Sequence, residues 1–330
     1  MGKFFRLIIF LLLGVFLVYY SVKDFSKEEL DQVFVSFKSA SPFYLFMVFF
    51  VSVLSHIIRA VRWKIMLSDE KEKVTVLDLF WAVMAGYLAN LAFPRLGEVT
   101  RCGILKKYND LDFSFAIGTV FFERIFDVIC LFIALLLCLW IEFDVVYSFF
   151  NANVFAPLFL KLNSLNWLVL SSIAVLLILC VFFALRFVKK SNNKLLEQVK
   201  KLFSNFSQGF SFFRNVKLLW LFLLLTFGIW FFYYFGIIIG YSALPQMNNL
   251  GWGSGLSLLF TGAVAMIIVQ GGIGAYPLAL MQVLVLYNID KSTGLAFGWL
   301  IWTLQTLVVL VLGAIGFAYF ELKKFRKEAK

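Results

Sequence analysis

Apolar stretches of membrane-spanning length alternate along this chain with short polar connections. Runs over 5–22, 42–61, 113–141, 167–185, 218–240 and 295–320 approach or exceed the roughly 20 residues an α-helix needs to cross a bilayer. Two further apolar regions, 77–112 and 252–288, are interrupted by Pro and Gly. The pattern predicts an all-α polytopic membrane bundle of six full spans plus two broken or re-entrant helical hairpins, forming one domain over 1–330. The first run has basic flanks like a signal peptide, yet no small-x-small cleavage site follows it, so it is expected to stay as the first helix.

Two connections carry helical periodicity of their own. In 23–41, Leu30, Val33, Phe34 and Phe37 recur at helical spacing behind a Ser26/Glu29 capping box, which predicts a short helix on the outer surface. In 192–217 the stripe Leu195, Val199, Leu202, Phe206, Phe210 and Phe213 runs beside Lys194, Lys200 and Lys201, as in a helix lying among headgroups.

Composition agrees with a lipid-solvated chain: 62% of residues are apolar, 15% are charged and the mean hydropathy is +0.91. A net charge of +11 with no long polar block points to membrane phosphates and against nucleic acid. The cysteines lack metal-ligand spacing and His56 is the only histidine, so no metal site and no cofactor are expected. If the interrupted regions enter and leave on one side, the N-terminus, 62–76, 186–217 and 321–330 hold 19 basic residues, whereas the opposite connections hold five. The positive-inside rule then places both termini in the cytoplasm.

Charge inside apolar segments marks the candidate site. The stretch Glu123-Arg124-Ile-Phe-Asp127 puts three ionisable groups in one span, at roughly 2.5–3.5 kcal/mol each before pairing. Arg124 lies three residues before Asp127, and the other carboxylate is left for Arg59, Arg62 or Arg95; the bland alternative is a network that only fixes packing. Arg59, Arg62 and Trp63 end the second span, where an interfacial anchor is the default and phosphate binding the sharper reading. His56 is expected to be a hydrogen-bonded packing residue.

The first interruption contains Asn90, Pro94, Arg95, Gly97, Glu98 and Arg101. Glu98 and Arg101 are spaced to pair, and Arg95 stands where a helix N-terminus would meet an anion, unless Pro94 merely ends a helix at the interface. The second interruption carries Gly271, Gly272 and Gly274, too unlike a Walker loop to suggest nucleotide. Broken helices entered from opposite sides point to a transport site between inverted repeats, with 1–166 and 167–330 as candidate halves, although direct similarity between them is weak.

The order Gly86, Asn90, Pro94-Arg95, Gly97-Glu98, Arg101, then Glu123-Arg124 and Asp127, then Gly271-Gly272-Ile273-Gly274, resembles the flippase-like transmembrane domain of the lysylphosphatidylglycerol synthase family over almost the whole chain. The resemblance implies transport or binding of a membrane phospholipid or lipid-linked headgroup in a bacterial-type inner membrane, without the family's separate aminoacyltransferase and without catalysis. Pro277 stands where the family commonly has Glu, which leaves the lipid open. On this reading Arg95 and Arg101 contact phosphate while Glu98 and the Glu123-Arg124-Asp127 group hold them. Two readings compete with it. One is a membrane enzyme using a polyprenyl-phosphate donor, with Asp24, Glu28, Glu29 or Asp31 as acid or base; the other is a non-transporting envelope assembly factor.

Overall fold

The structure, a computed structural model, describes residues 16–23, 25–67, 72–93, 95–150 and 216–328. Residues 5–15 of the expected first span, the expected span at 167–185, all but the last two residues of the expected surface helix over 192–217, Asp24 and Pro94 lie outside the described residues. Residues 16–22 are helical, and ten longer or shorter α-helices follow among the described residues: α1 (Lys27–Ser39), α2 (Pro42–Met66), α3 (Val76–Ala92), α4 (Leu96–Asn109), α5 (Phe113–Ile141), α6 (Phe143–Phe150), α7 (Val216–Tyr241), α8 (Trp252–Ile268), α9 (Ala275–Leu286) and α10 (Lys291–Glu328). No strand occurs among the described residues.

Four of these helices, α2, α5, α7 and α10, are long and apolar enough to cross a bilayer. Only 11–33% of the most apolar stretch of each is buried inside the protein, so most of those side chains depend on lipid for solvation. Phe132 and Trp140 of α5, and Trp220, Leu224 and Phe227 of α7, are exposed large apolar groups of this kind.

The two interrupted regions are hairpins entered from opposite ends of the bundle. The α3–α4 hairpin closes on itself at one end, where Asn109 donates to Asp78 at 3.2 Å and to the Lys73 carbonyl at 3.0 Å. The buried Asp78 also completes a capping box with Thr75 and accepts from Tyr319 at 3.0 Å and Lys323 at 2.5 Å, tying α10 to the same end. The α8–α9 hairpin closes at the other end, where Ser257 and Tyr287 share a hydrogen bond of 2.9 Å and Ser41 donates to the Ala243 carbonyl nearby.

Their tips meet in the interior. Gln270 donates to the Asn90 carbonyl at 2.6 Å, supplying a donor to the last turn of α3, whose terminal carbonyls have no helical partner. Asn90 in turn accepts from the Gly97 amide at 2.6 Å, and Trp302 of α10 donates to the Gly271 carbonyl at 2.7 Å. Non-helical backbone at membrane depth is thus covered by protein donors, as an apolar solvent requires.

Close backbone approach makes this packing geometrically feasible. A Cβ on Gly97 would collide with the Gly86 carbonyl and lie 2.6 Å from the Asn90 amide group. In α10, a Cβ at Gly316 would lie 2.7 Å from the Trp81 carbonyl of α3, and one at Gly298 would lie 2.6 Å from Pro277 of α9. The last helix is therefore a spine against which both hairpins seat through small residues, the usual solution where lipid removes the hydrophobic drive for helix association.

The capping box at Ser26 forms as expected, with Glu29 donating its amide to the Ser26 hydroxyl. The apolar stripe of α1 divides, however. Val33 and Phe37 pack with Met281, Leu295 and Ala296 of α9 and α10, whereas Phe34 is 62% exposed, so α1 is seated on the bundle end. Glu29 accepts from the Ser26 amide at 2.7 Å, the other half of the capping box.

Candidate functional site

The charged residues predicted from separate segments converge on one carboxylate. Glu123 lies ten residues into α5, about 15 Å along an axis of about 43 Å, well inside a hydrocarbon layer of about 30 Å. Its side chain is fully buried, accepting from Arg59 through a short contact, from Arg62 at 2.8 Å and from Arg101 at 2.8 Å. One turn further, Asp127 accepts from Arg59 at 3.0 Å and Arg62 at 3.1 Å. Three helices, α2, α4 and α5, are thereby joined by charge, and α7 by hydroxyls: Tyr233 accepts from Arg59 at 3.2 Å and Thr226 from Arg62 at 3.0 Å.

Helical spacing explains the convergence. Arg59, Arg62 and Trp63 fall on one face of α2, as Thr119, Glu123 and Asp127 do on α5, so the two faces match turn for turn. Trp63 donates its indole N–H to Thr119 at 2.9 Å and lies beneath the Arg101 guanidinium, 4.6 Å from its ring centroid. The expected interfacial anchor is accordingly corrected: Arg59, Arg62 and Trp63 are 3%, 0% and 0% exposed and belong to the interior.

Other sequence expectations also change. Arg101 pairs with Glu123, while the Glu98 Oε2 atom is buried with no hydrogen-bond partner among the described residues. Arg95 does not join the cluster; it is the N-cap of α4 in the left-handed region, at φ 60°, with its side chain exposed. The cation left for the second carboxylate is supplied by Arg59 and Arg62. His56 packs its ring 5.1 Å from that of Tyr87, and its Nδ1 has no hydrogen-bond partner among the described residues.

Arg124 differs from the other arginines. Its side chain is 38% exposed and its contacts with Asp127 and Glu123 are long, at 3.4 and 3.7 Å. It borders a narrow cleft of about 10 Å³, room for about one water molecule, whose other walls are Val83, Gly86, Tyr87 and Asn90 of α3 and Gly97, Glu98 and Arg101 of α4. The cleft therefore lies between the first hairpin and the charged face of α5.

The second break supports the first from beneath. Gly271, Gly272 and Gly274 all have positive φ, between 67° and 71°, a conformation that glycine adopts without the Cβ penalty. Gln270 reaches from this break to Asn90, while Pro277 is buried in the contact with Gly298 and stands apart from the arginines. Sequence reasoning passed over Tyr87, Thr226, Tyr233, Gln270 and Trp302 as site residues. Gln270 was the most legible of them, being an amide at an apolar break; the ring and hydroxyl groups have nothing in their spacing to distinguish them from span residues. No cluster of metal-ligating side chains occurs among the described residues.

A helical membrane protein that buries an arginine–carboxylate network beside two facing helix breaks is the class these features define. Over residues 4–313 the chain matches the lysylphosphatidylglycerol synthase TM region, and it belongs to that family. It is also 28% identical over 246 residues to a UPF0104 membrane protein of Methanocaldococcus jannaschii, covering 74% of this chain and 98% of that one. No solved structure matches it.

Proposed function

We propose that this chain is a non-catalytic lipid translocator, in which an anionic phospholipid or lipid-linked headgroup enters the bundle while its acyl chains stay in lipid. The observation that carries the reading is the arginine cluster itself. Arg101, Arg124 and Glu98 line one cleft, and Arg59, Arg62, Glu123 and Asp127 join them through the ion-pair network behind it, so that four arginines meet three carboxylates and a formal positive charge is left for a ligand to offset. Arg124 is the group best placed to exchange partners, since its ion contacts are the longest and its side chain the most open. Paired hairpin tips held by Asn90, Gln270 and Trp302 give the site an element that can rearrange. The sequence asymmetry in basic residues supports a bacterial-type inner-membrane location with both termini cytoplasmic.

The test is leaflet exchange in liposomes without nucleotide. Purified protein should accelerate dithionite quenching of a fluorescent phosphatidylglycerol initially in the inner leaflet, and Arg124→Gln should suppress that acceleration. Wild-type rates equal to those of protein-free liposomes, across anionic phospholipids and polyprenyl phosphates, would exclude translocation and favour the assembly-factor reading.

A further inference from the structure

The cleft offers two complementary groups. Arg124 presents a cation with its Nε buried and unpartnered, and Glu98 presents a buried carboxylate oxygen with no hydrogen-bond partner among the described residues. A buried acceptor left unpaired is costly, which makes it a site for a donor rather than a packing feature. Val83 and Tyr87 complete the walls, Gly86 and Gly97 approach each other too closely for any side chain, and the Asn90 Oδ1 is already committed to the Gly97 N–H.

We propose that Glu98 and Arg124 form a selectivity pair for a phosphodiester headgroup that carries its own O–H or N–H donor, Arg124 taking the phosphate and Glu98 the donor. This rests on the translocator reading of the same site and names its ligand chemistry. Charge sets the first half of the specificity. Four arginines against three carboxylates leave one formal positive charge, which a phosphodiester monoanion offsets and a phosphomonoester dianion overshoots. The unpaired Glu98 oxygen sets the second half, because a donor-free headgroup leaves it stranded beside the incoming phosphate, anion against anion.

Arg124 meets Asp127 and Glu123 only through long contacts, at 3.4 and 3.7 Å. Glu123 and Asp127 satisfy Arg59, Arg62 and Arg101 through closer contacts, so the pair stands to one side of the structural network. The two residues also come from different elements, the first turn of α4 and the middle of α5. Movement of the hairpin tip relative to α5 would then change their separation and with it the affinity for the headgroup.

Binding of short-chain lipids to the intact protein in detergent micelles tests this, with phosphatidylglycerol, phosphatidylethanolamine, phosphatidylmethanol and phosphatidic acid as probes and glycerophosphoglycerol as the soluble counterpart. Phosphatidylmethanol is a diester without a donor, and phosphatidic acid a monoester. Phosphatidylglycerol, and less strongly phosphatidylethanolamine, whose ammonium leaves the site's net charge unoffset, should bind more tightly than phosphatidylmethanol, phosphatidylglycerol by at least about tenfold or about 1.4 kcal/mol. Glu98→Ala should erase that ratio by weakening the first two and strengthening phosphatidylmethanol, and Glu98→Gln should give an intermediate ratio in a side chain of the same shape. Arg124→Gln should weaken all the diesters together.

Equal affinity for phosphatidylglycerol and phosphatidylmethanol in the wild type, or a ratio that survives Glu98→Ala in a protein of unchanged melting temperature, would overturn the pair. Preference for phosphatidic acid would overturn it through the charge argument. Binding of glycerophosphoglycerol as tight as that of the lipid would keep the chemistry but assign it to a free solute. Selective lipid binding without leaflet exchange would leave the pair standing and remove the translocator, whereas exchange without headgroup selectivity would do the reverse.

Discussion

Replacing Glu123 by Gln removes one charge from the point where three buried guanidinium groups meet. The side chain is fully buried, one oxygen receiving Arg59 and Arg62 and the other Arg101. The amide keeps one acceptor and turns the other into an N–H₂ group facing an arginine donor. Breaking one partner out of a buried ion pair costs about 3–5 kcal/mol, because the charge left behind is not resolvated. At about 2–4 °C per kcal/mol for chains of a few hundred residues, the apparent melting temperature should fall by about 6–20 °C. Asp127→Asn should cost less, about 1–3 kcal/mol, since its side chain retains 14% exposure. The assay is loss of the monodisperse chromatographic peak on heating in detergent. Adding Arg101→Gln to Glu123→Gln should recover part of the loss, because it removes a cation that Glu123 had paired, with a coupling of about 0.5–3 kcal/mol. An unchanged melting temperature for Glu123→Gln, or costs that simply add in the double variant, would refute the reasoning that this carboxylate neutralises the arginines in concert.

Four further outcomes are expected. Gly97→Ala forces its new methyl group onto the Gly86 carbonyl, so the hairpin should be destabilised by about 1–3 kcal/mol in the same heating assay. Gln270→Leu strips the last turn of α3 of a donor at 2.6 Å; hydrogen exchange at the two breaks should rise together if the tips are coupled, and at one alone if they are not. Asp78→Asn weakens the contact with Lys323 and should loosen α10 from the hairpin, read as faster proteolysis near Lys323. A single cysteine at Asn248 should react with an impermeant thiol reagent in intact cells and one at Lys327 should not, whereas the opposite result would invert the orientation drawn from the basic residues.

Periodicity and breaker residues made much of the fold legible. The apolar run at 113–141 became α5 over the same residues, and the Pro- and Gly-interrupted regions became two hairpins with opposite entry. The position of charge in apolar runs also singled out Glu123, Arg124 and Asp127. What it did not reveal was partnership. Arg59 and Arg62 resemble snorkelling cations at a helix end, and only the packing of α2 against α5 and α7 turns them inward. Glu98 and Arg101 have the spacing of an ion pair, yet a carboxylate on another helix competes successfully for Arg101 because it lies where that arginine is already enclosed by Trp63. Arg95 was attractive as the cation beside a break; the left-handed backbone there swings its side chain outward. Such outcomes depend on contacts far apart in sequence, and local spacing carries no record of them.

The central claim, that a lipid headgroup enters the interior at the arginine cleft, is tested most directly by photocrosslinking in bilayers. A phosphatidylglycerol bearing a diazirine on its headgroup should label peptides of the cleft wall, around Tyr87, Asn90 and Glu98, and Arg124→Gln should abolish that labelling. Labelling confined to the helix ends around Lys64, Lys107 and Lys323, unchanged by Arg124→Gln, would contradict the account.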